Sequence, residues 1–205
     1  MPTAPIAVMA SGKGSNLRAL LDAIERGTCP ARVRLTLSDR IDAGALEIAR
    51  QAGVPDVVHV NPREHASRES FDLACARRIE DSGCEWIVLA GYMRILSEAF
   101  VRRFPNRIIN IHPSLLPAFP GAHAVRDALE YGVAVTGVTV HLVNEVLDGG
   151  PILAQTAVPV RDDDTEATLH ARIHEAEHRL YPETLARVVS EGFAVEGRRV
   201  RWHTR

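Results

Sequence analysis

Cysteine and lysine are both scarce in this chain of 205 residues. Cys29, Cys75 and Cys84 are the only cysteines, an odd number without C-x-x-C spacing, so neither a disulfide framework nor a thiolate zinc site is indicated. A reduced, cytoplasmic setting is the simplest expectation. Long apolar runs are missing too. No segment approaches the roughly 18 consecutive apolar residues of a membrane span, and Met1-Pro2-Thr3-Ala4-Pro5 lacks the basic region that opens a secretory signal. With a formal net charge of -2, neither nucleic acid nor an anionic membrane is expected as a partner, and any anion site must be local. Lys13 is the single lysine, and it sits inside a glycine-rich segment. Internal repeats, low-complexity tracts and linkers are absent, so one domain over residues 1–205 is expected.

What is present reads as an α/β fold. Short apolar runs alternate with amphipathic stretches through the first half, the pattern of β-α-β units building a mostly parallel, twisted sheet flanked by helices. Ile6 to Ala10 reads as a buried strand, and Leu17, Leu20, Leu21 and Ile24 set a helical spacing over Leu17 to Arg26. Val33 to Ser38 and Val57 to Val60 read as strands, with a helix from Ala43 to Ala52 between them that stops at Gly53 before Pro55. Ser70 to Asp81 reads as a helix ending at Gly83, and Trp86 to Ala90 as a wholly apolar, central strand. Past Phe104-Pro105, the strand Ile108 to Ile111 runs into His112-Pro113-Ser114-Leu115-Leu116-Pro117-Ala118-Phe119-Pro120-Gly121, whose three prolines fix the backbone. A rigid loop directly after a buried strand is where an active site is often built. Val133 to Leu142 and Ile152 to Val160 read as strands, and Asp162-Asp163-Asp164-Thr165 caps a helix from Glu166 to Ser190. A hairpin of Phe193 to Val195 and Arg199 to Trp202 around Gly197 closes the chain.

Three groups of residues could carry chemistry. Ser11-Gly12-Lys13-Gly14-Ser15-Asn16-Leu17 lies between the first strand and first helix, where glycines admit an anion to backbone N–H groups and the helix N-terminus favours it. It is not a Walker A loop, and Leu17 stands where the dinucleotide fingerprint has its third glycine, so a single phosphate fits better than a pyrophosphate. The alternative is a tight turn capped by Ser15 or Asn16. The second group is Asn110 and His112, two apart on one strand and so on the same side, with Asp148 farther on in Val146-Leu147-Asp148-Gly149-Gly150-Pro151. An amide and an imidazole aimed at one atom suit acyl transfer, whose tetrahedral adduct needs donors at its oxyanion. A lone histidine at a strand end is more often structural, and spacing alone does not bring Asp148 to it. The third group, His170, His174 and His178, recurs every four residues on one helical face beside Glu177. The outer two lie about 12 Å apart along the axis, at roughly 1.5 Å rise per residue, so all three cannot meet one metal ion and no metal is expected.

At these residues the chain stops being generic. Ser11 to Leu17, Leu89-Ala90-Gly91-Tyr92-Met93-Arg94-Ile95-Leu96, Asn110-Ile111-His112-Pro113-Ser114-Leu115-Leu116-Pro117 and Leu147-Asp148-Gly149-Gly150-Pro151, in this order, together resemble the phosphoribosylglycinamide formyltransferase family. The resemblance implies a Rossmann-like formyltransferase fold without a nicotinamide cofactor. It implies transfer of a formyl group from 10-formyltetrahydrofolate, a cosubstrate consumed each turnover, to the amine of glycinamide ribonucleotide. Gly14, Ser15 and Asn16 would hold the nucleotide phosphate, and His174, Glu175, Ala176 and Glu177 would contact the nucleotide, Glu177 at its ribose hydroxyls. Met93, Arg94, Ile95 and Leu96 would line the pterin pocket with Asn110 and the loop Asn144, Glu145, Val146, Leu147 and Asp148, and Arg68 would lie near the folate tail. Asn110, His112 and Asp148 would be catalytic. Residues 1–105 would then be mainly a nucleotide-phosphate half and residues 106–205 a folate and catalytic half, in a cytoplasmic monomer or homodimer. The family varies at position 13, so no role for Lys13 follows, and Thr139 keeps the hydroxyl of a serine common in relatives. The rival readings are another folate formyl enzyme, either a formyltetrahydrofolate hydrolase or a methionyl-tRNA formyltransferase, and a non-catalytic nucleotide-binding module.

Overall fold

The computed structural model describes residues 3–203. Seven strands form one sheet: β1 Ala4–Met9, β2 Ala31–Ser38, β3 Asp56–His59, β4 Trp86–Leu89, β5 Ile108–His112, β6 Val135–Leu142 and β7 Ile152–Pro159, in the order β3-β2-β1-β4-β5-β6-β7. The first five run parallel, β6 is antiparallel to β5, and β7 is antiparallel to β6. The wholly apolar β4 is the central strand, as its sequence predicts. Helices α1 Ser15–Glu25, α2 Gly44–Gln51, α3 Arg68–Asp81, α4 Glu98–Arg103, α5 Ala124–Tyr131 and α6 Glu166–Glu191 flank the sheet, and a small hairpin of β8 Phe193–Glu196 and β9 Arg199–Trp202 follows.

Alternation along the strands divides the core into two layers. In β1, Ile6 and Val8 face α1 and α6, where Leu17, Leu20, Leu169, Ile173, Tyr181 and Leu185 complete one cluster. Ala7 and Met9 face the other side, packed with Phe71, Cys75 and Ile79 of α3 and Phe100 of α4. The buried Tyr181 hydroxyl lies 3.0 Å from both the Leu89 and Ile109 carbonyls, tying α6 to the ends of β4 and β5. The strand order reverses between β1 and β4. In open α/β sheets ligands bind beyond the carboxyl ends of the strands at such a switch point, and the segments after β1 and β4 and the end of β5 all open onto that edge.

Two helices are absent from the sequence reading. Helix α4 begins immediately after Leu96, capped by the Ser97 side chain, and α5 begins three residues past Gly121. They cover six and eight residues, too few turns for a period to stand out. Strand β6 starts at Val135, two residues later than the apolar pattern suggests.

Candidate active site

The glycine loop is shaped by its contact with α2. Gly14 has φ +83, and a Cβ there would come within 2.7 Å of the Ala45 Cα, so glycine is required twice over. Helix α1 then starts with no side-chain cap and no acidic residue in its first turn. The backbone N–H groups of that turn remain for an anion, where the helix dipole favours one. Asn16, nearly buried, donates from Nδ2 to Glu177 Oε2 on α6 at 2.9 Å, and its own Oδ1 has no protein partner. Burial pushes the Glu177 carboxyl up to about 7, against the opposing effect of the Asn16 bond. His174 Nε2 lies 3.9 Å from the same carboxylate oxygen. Burial holds His174 below the ordinary histidine value, reinforced by His170, His178 and Lys13. Ala176 is buried and Glu175 exposed on the same helix. Lys13, also exposed, lines a surface cleft of about 520 Å³ with Arg40 and Asp42. The rings of His170 and His174 meet edge to face at 4.2 Å, with His178 5.9 Å beyond. Among the described residues, no group of three or more His, Cys, Asp or Glu side chains is placed to hold a metal ion.

The second segment follows β4. Met93 and Ile95 are 73% and 57% exposed, and Val146 and Leu147 of the β6–β7 loop are 63% and 56% exposed. Four large apolar side chains held in solvent on two loops are unfavourable in isolation and suit a flat aromatic ligand. Arg94 lies over the Phe71 ring at 5.0 Å, and its Nε is buried without a partner. The buried Asp72 of α3 accepts the Ser97 N–H at 2.6 Å and so fixes the far end of this segment, while Arg68 opens α3 in an exposed position. Burial raises the Asp72 carboxyl, and the charges of Arg68 and Arg94 oppose the rise.

The third group assembles around β5. Asn110 and His112 share a face of the strand and stand opposite His141 and Thr139 in the antiparallel register with β6. Asp148, in the β6–β7 loop, comes to them: its Oδ2 lies 3.6 Å from His112 Nδ1 and its Oδ1 3.8 Å from His141 Nε2. Both separations are too long for direct hydrogen bonds. Asp148 holds its position through the Gly121 N–H, which donates to Oδ2 at 2.8 Å, and through a left-handed backbone with φ 49. A Cβ on the following Gly150 would fall on the Leu142 carbonyl, so this loop cannot pack as it does with any other residue there. His112 Nε2 is 2.8 Å from the Phe119 carbonyl, a partner that the proline-rich loop supplies. Thr139 braces that loop by donating to the Ser114 carbonyl at 2.7 Å and accepting from Leu116 N–H at 3.0 Å and Gln155 Nε2 at 2.9 Å.

His141 is the functional candidate that reasoning from the sequence misses. Its Nδ1 faces the Leu142 carbonyl at 2.9 Å and its Nε2 faces Asn110 Nδ2 at 3.1 Å. Donation from Nδ1 and acceptance at Nε2 satisfies both contacts with a neutral ring, and burial lowers the His141 pKa in the same sense. The Asn110 amide is thereby oriented with its second N–H free. The Thr139, His141 pair repeats the two-residue spacing of Asn110, His112, and that parallel was the available signal.

An uncapped helix N-terminus after a glycine turn, an exposed apolar rim and an oriented amide–imidazole–carboxylate group lie on one edge of the sheet, an arrangement suited to group transfer between two bound molecules. The profile of a family described as formyl transferase matches residues 4–185, and the chain belongs to that family. Within it the chain groups with the phosphoribosylglycinamide formyltransferases. It is 50% identical over 199 residues to the phosphoribosylglycinamide formyltransferase of Mycobacterium tuberculosis, covering 96% of this chain and 91% of that protein. It is 44% identical over 177 residues to the Escherichia coli protein so named, covering 86% and 83%. The crystal structure of glycinamide ribonucleotide transformylase 1 from Symbiobacterium toebii superposes with a TM-score of 0.96 at 48% identity, covering 98% of this chain and 95% of that one.

Proposed function

We propose that the chain transfers the formyl group of 10-formyltetrahydrofolate to the primary amine of glycinamide ribonucleotide, giving formylglycinamide ribonucleotide and tetrahydrofolate, a step of de novo purine biosynthesis. The observation that carries this reading is the placement of Asn110, His112 and Asp148 on the sheet edge shared by the uncapped α1 N-terminus and the segment Met93–Leu96. The nucleotide phosphate meets the N–H groups after Gly14 at Ser15 and Asn16, and the ribose hydroxyls meet Glu177. The pterin lies against Met93, Arg94, Ile95 and Leu96 and the loop Asn144–Asp148, with Arg68 toward the folate tail. Residues 1–105 supply the phosphate loop and residues 106–205 the catalytic group, and each substrate is also touched from the other half. The enzyme works in the cytoplasm as a monomer or homodimer, without nucleic acid, membrane or metal.

The amine nitrogen attacks the formyl carbon, a C–N bond forms, and the carbonyl electron pair moves to oxygen. Asn110, aimed by His141, and the His112 imidazole donate to that oxyanion. The His112 bond to Phe119 is exchanged for the bond to the oxyanion. Asp148, directly or through water, helps move the amine proton to the folate nitrogen as the bond from that nitrogen to the formyl carbon breaks. The test is consumption of 10-formyltetrahydrofolate followed by absorbance. Turnover that requires glycinamide ribonucleotide supports transfer. Turnover without it indicates a hydrolase, and nucleotide binding without turnover a binding module.

A further inference from the structure

Ser11 opens the glycine loop without being assigned a ligand contact of its own, yet it joins the two substrate segments. Its side chain is buried, with 4% of the residue exposed, at the point where β1 enters the glycine loop. The Oγ–H donates to Asp39 Oδ1 beyond β2 at 2.6 Å, and the same oxygen accepts the Met93 N–H at 2.9 Å. The Ser11 N–H donates to the Gly91 carbonyl at 3.1 Å. Among the described residues, both hydrogen bonds that connect residues 11–16 with residues 91–97 therefore run through Ser11. One hydroxyl has one proton to give, and here it is fixed by a carboxylate, which leaves the lone pair aimed at Met93. The ends of β2, β1 and β4 are clamped side by side through a single oxygen.

We propose that Ser11 is a positioning residue that couples the two substrates, so that nucleotide held after Gly14 tightens folate binding at Met93–Leu96 and the reverse. The proposal rests on the assignment of those two segments to nucleotide and folate. A phosphate on the first turn of α1 restrains Gly12 to Asn16, and the Gly12 carbonyl is itself held by Ala45 N–H at 3.2 Å, so the restraint passes back to Ser11. Ser11 then holds the Met93 amide in the pterin-ready position. An alanine at position 11 keeps the backbone bond to Gly91 but releases Met93 N–H and Asp39.

The experiment is calorimetric titration of glycinamide ribonucleotide with and without saturating tetrahydrofolate, which has no formyl group to transfer, and of tetrahydrofolate with and without the nucleotide. The intact protein is expected to show mutual tightening of about fivefold or more, the low end of measured site couplings, and by the same factor in both directions. In Ser11→Ala that factor falls toward one, while each ligand alone loses less affinity than the pair does. Asp39→Ala gives the same loss from the other side of the bond, and Asp39→Asn, which keeps an accepting oxygen, retains the coupling. A role confined to folding would lower thermal stability and leave the factor unchanged. If Ser11→Ala does not fold, Asp39→Ala decides. Full coupling in either alanine variant, or no coupling in an intact protein that binds both ligands, overturns the proposal. An intact protein that binds neither ligand overturns the functional assignment instead.

Discussion

The proposed nucleotide side and the proposed catalytic side of this site are built on opposite plans. The glycine loop is contiguous: seven residues, Ser11 to Leu17, carry the chain from a strand into a helix, and the donors they offer are mostly backbone. The proposed catalytic side is assembled from β5, β6, the proline-rich loop and the β6–β7 loop, where Asn110, His112 and Asp148 are held by His141, Phe119 and Gly121. A local anion site depends on backbone shape and can survive side-chain changes that leave its glycine in place. An assembled site depends on strand register and on one loop's conformation, so a change at one residue is felt by the others.

That contrast breaks most sharply at His112 and Asp148. His112→Ala and Asp148→Asn are each expected to lower single-turnover formyl transfer by about two orders of magnitude or more, the scale of losing an oxyanion donor or an acid–base group. Because the two face each other, the double variant should be little slower than the poorer single one. Nucleotide affinity should survive in all three. Near-normal rates for His112→Ala at saturating substrates would sink the mechanism, and fully additive losses would mean that the pair does not act as a unit.

The same division explains what the sequence made legible. The order of the strands and of four of the six helices, the parallel majority of the sheet and the position of the glycine loop follow from local patterns: the Leu17, Leu20 spacing, the stop at Gly53, the apolar run at Trp86. Asp148 beside His112 does not, because nothing between residues 112 and 148 states how far the loop folds back; family resemblance supplied that expectation and the left-handed turn at Asp148 delivers it. His141 stayed hidden for a related reason. Its role depends on standing opposite Asn110, and register is a property of two strands rather than of either one. Helix α4 was obscured by shortness, although the Ser97-Glu98 start is an ordinary cap sequence.

On the proposed nucleotide side the effect of Glu177 is expected to depend on pH. Its carboxyl titrates near 7 in the fold against an ordinary value of 4.5, so the protonated form is the one the free fold favours. The associated stability is complete below the unfolded value and is lost as pH rises through about 7. Glu177→Gln, which imitates the protonated form, should therefore raise the melting temperature relative to the parent at pH 8 and have little effect at pH 5. If ribose hydroxyls donate to the carboxylate as proposed, nucleotide binding should release protons near neutrality, seen as a buffer-dependent binding enthalpy that disappears in Glu177→Gln. Loss of the charged acceptor should weaken nucleotide binding about tenfold or more, with folate affinity changed only through coupling. Proton uptake on binding would contradict the assignment of Glu177 to the ribose.

The smallest expected effect comes from the C-terminal hairpin, which lies beyond residues 4–185 matched by the family profile. Phe193 packs against Trp86 and Trp202, and Arg187 stacks over Trp202 at 4.0 Å, which seats the hairpin on the end of the sheet. From its turn, Arg198 donates through Nη1 to the Gly149 carbonyl at 2.8 Å. Gly149 directly follows Asp148, so this bond braces the loop that holds the Asp148 carboxylate, proposed as catalytic, in its left-handed conformation. The bond is solvent-exposed, and a hydrogen bond of that kind contributes at most about 1 kcal/mol net. Arg198→Ala is accordingly expected to lower turnover about two- to fivefold with the Michaelis constant for the nucleotide unchanged, and Arg198→Lys, which keeps a donor at shorter reach, should recover part of the loss. An equal change in both parameters would place the hairpin's influence on general stability. A lower turnover alone would extend the assembled side of the site to a segment beyond residues 4–185 matched by the family profile.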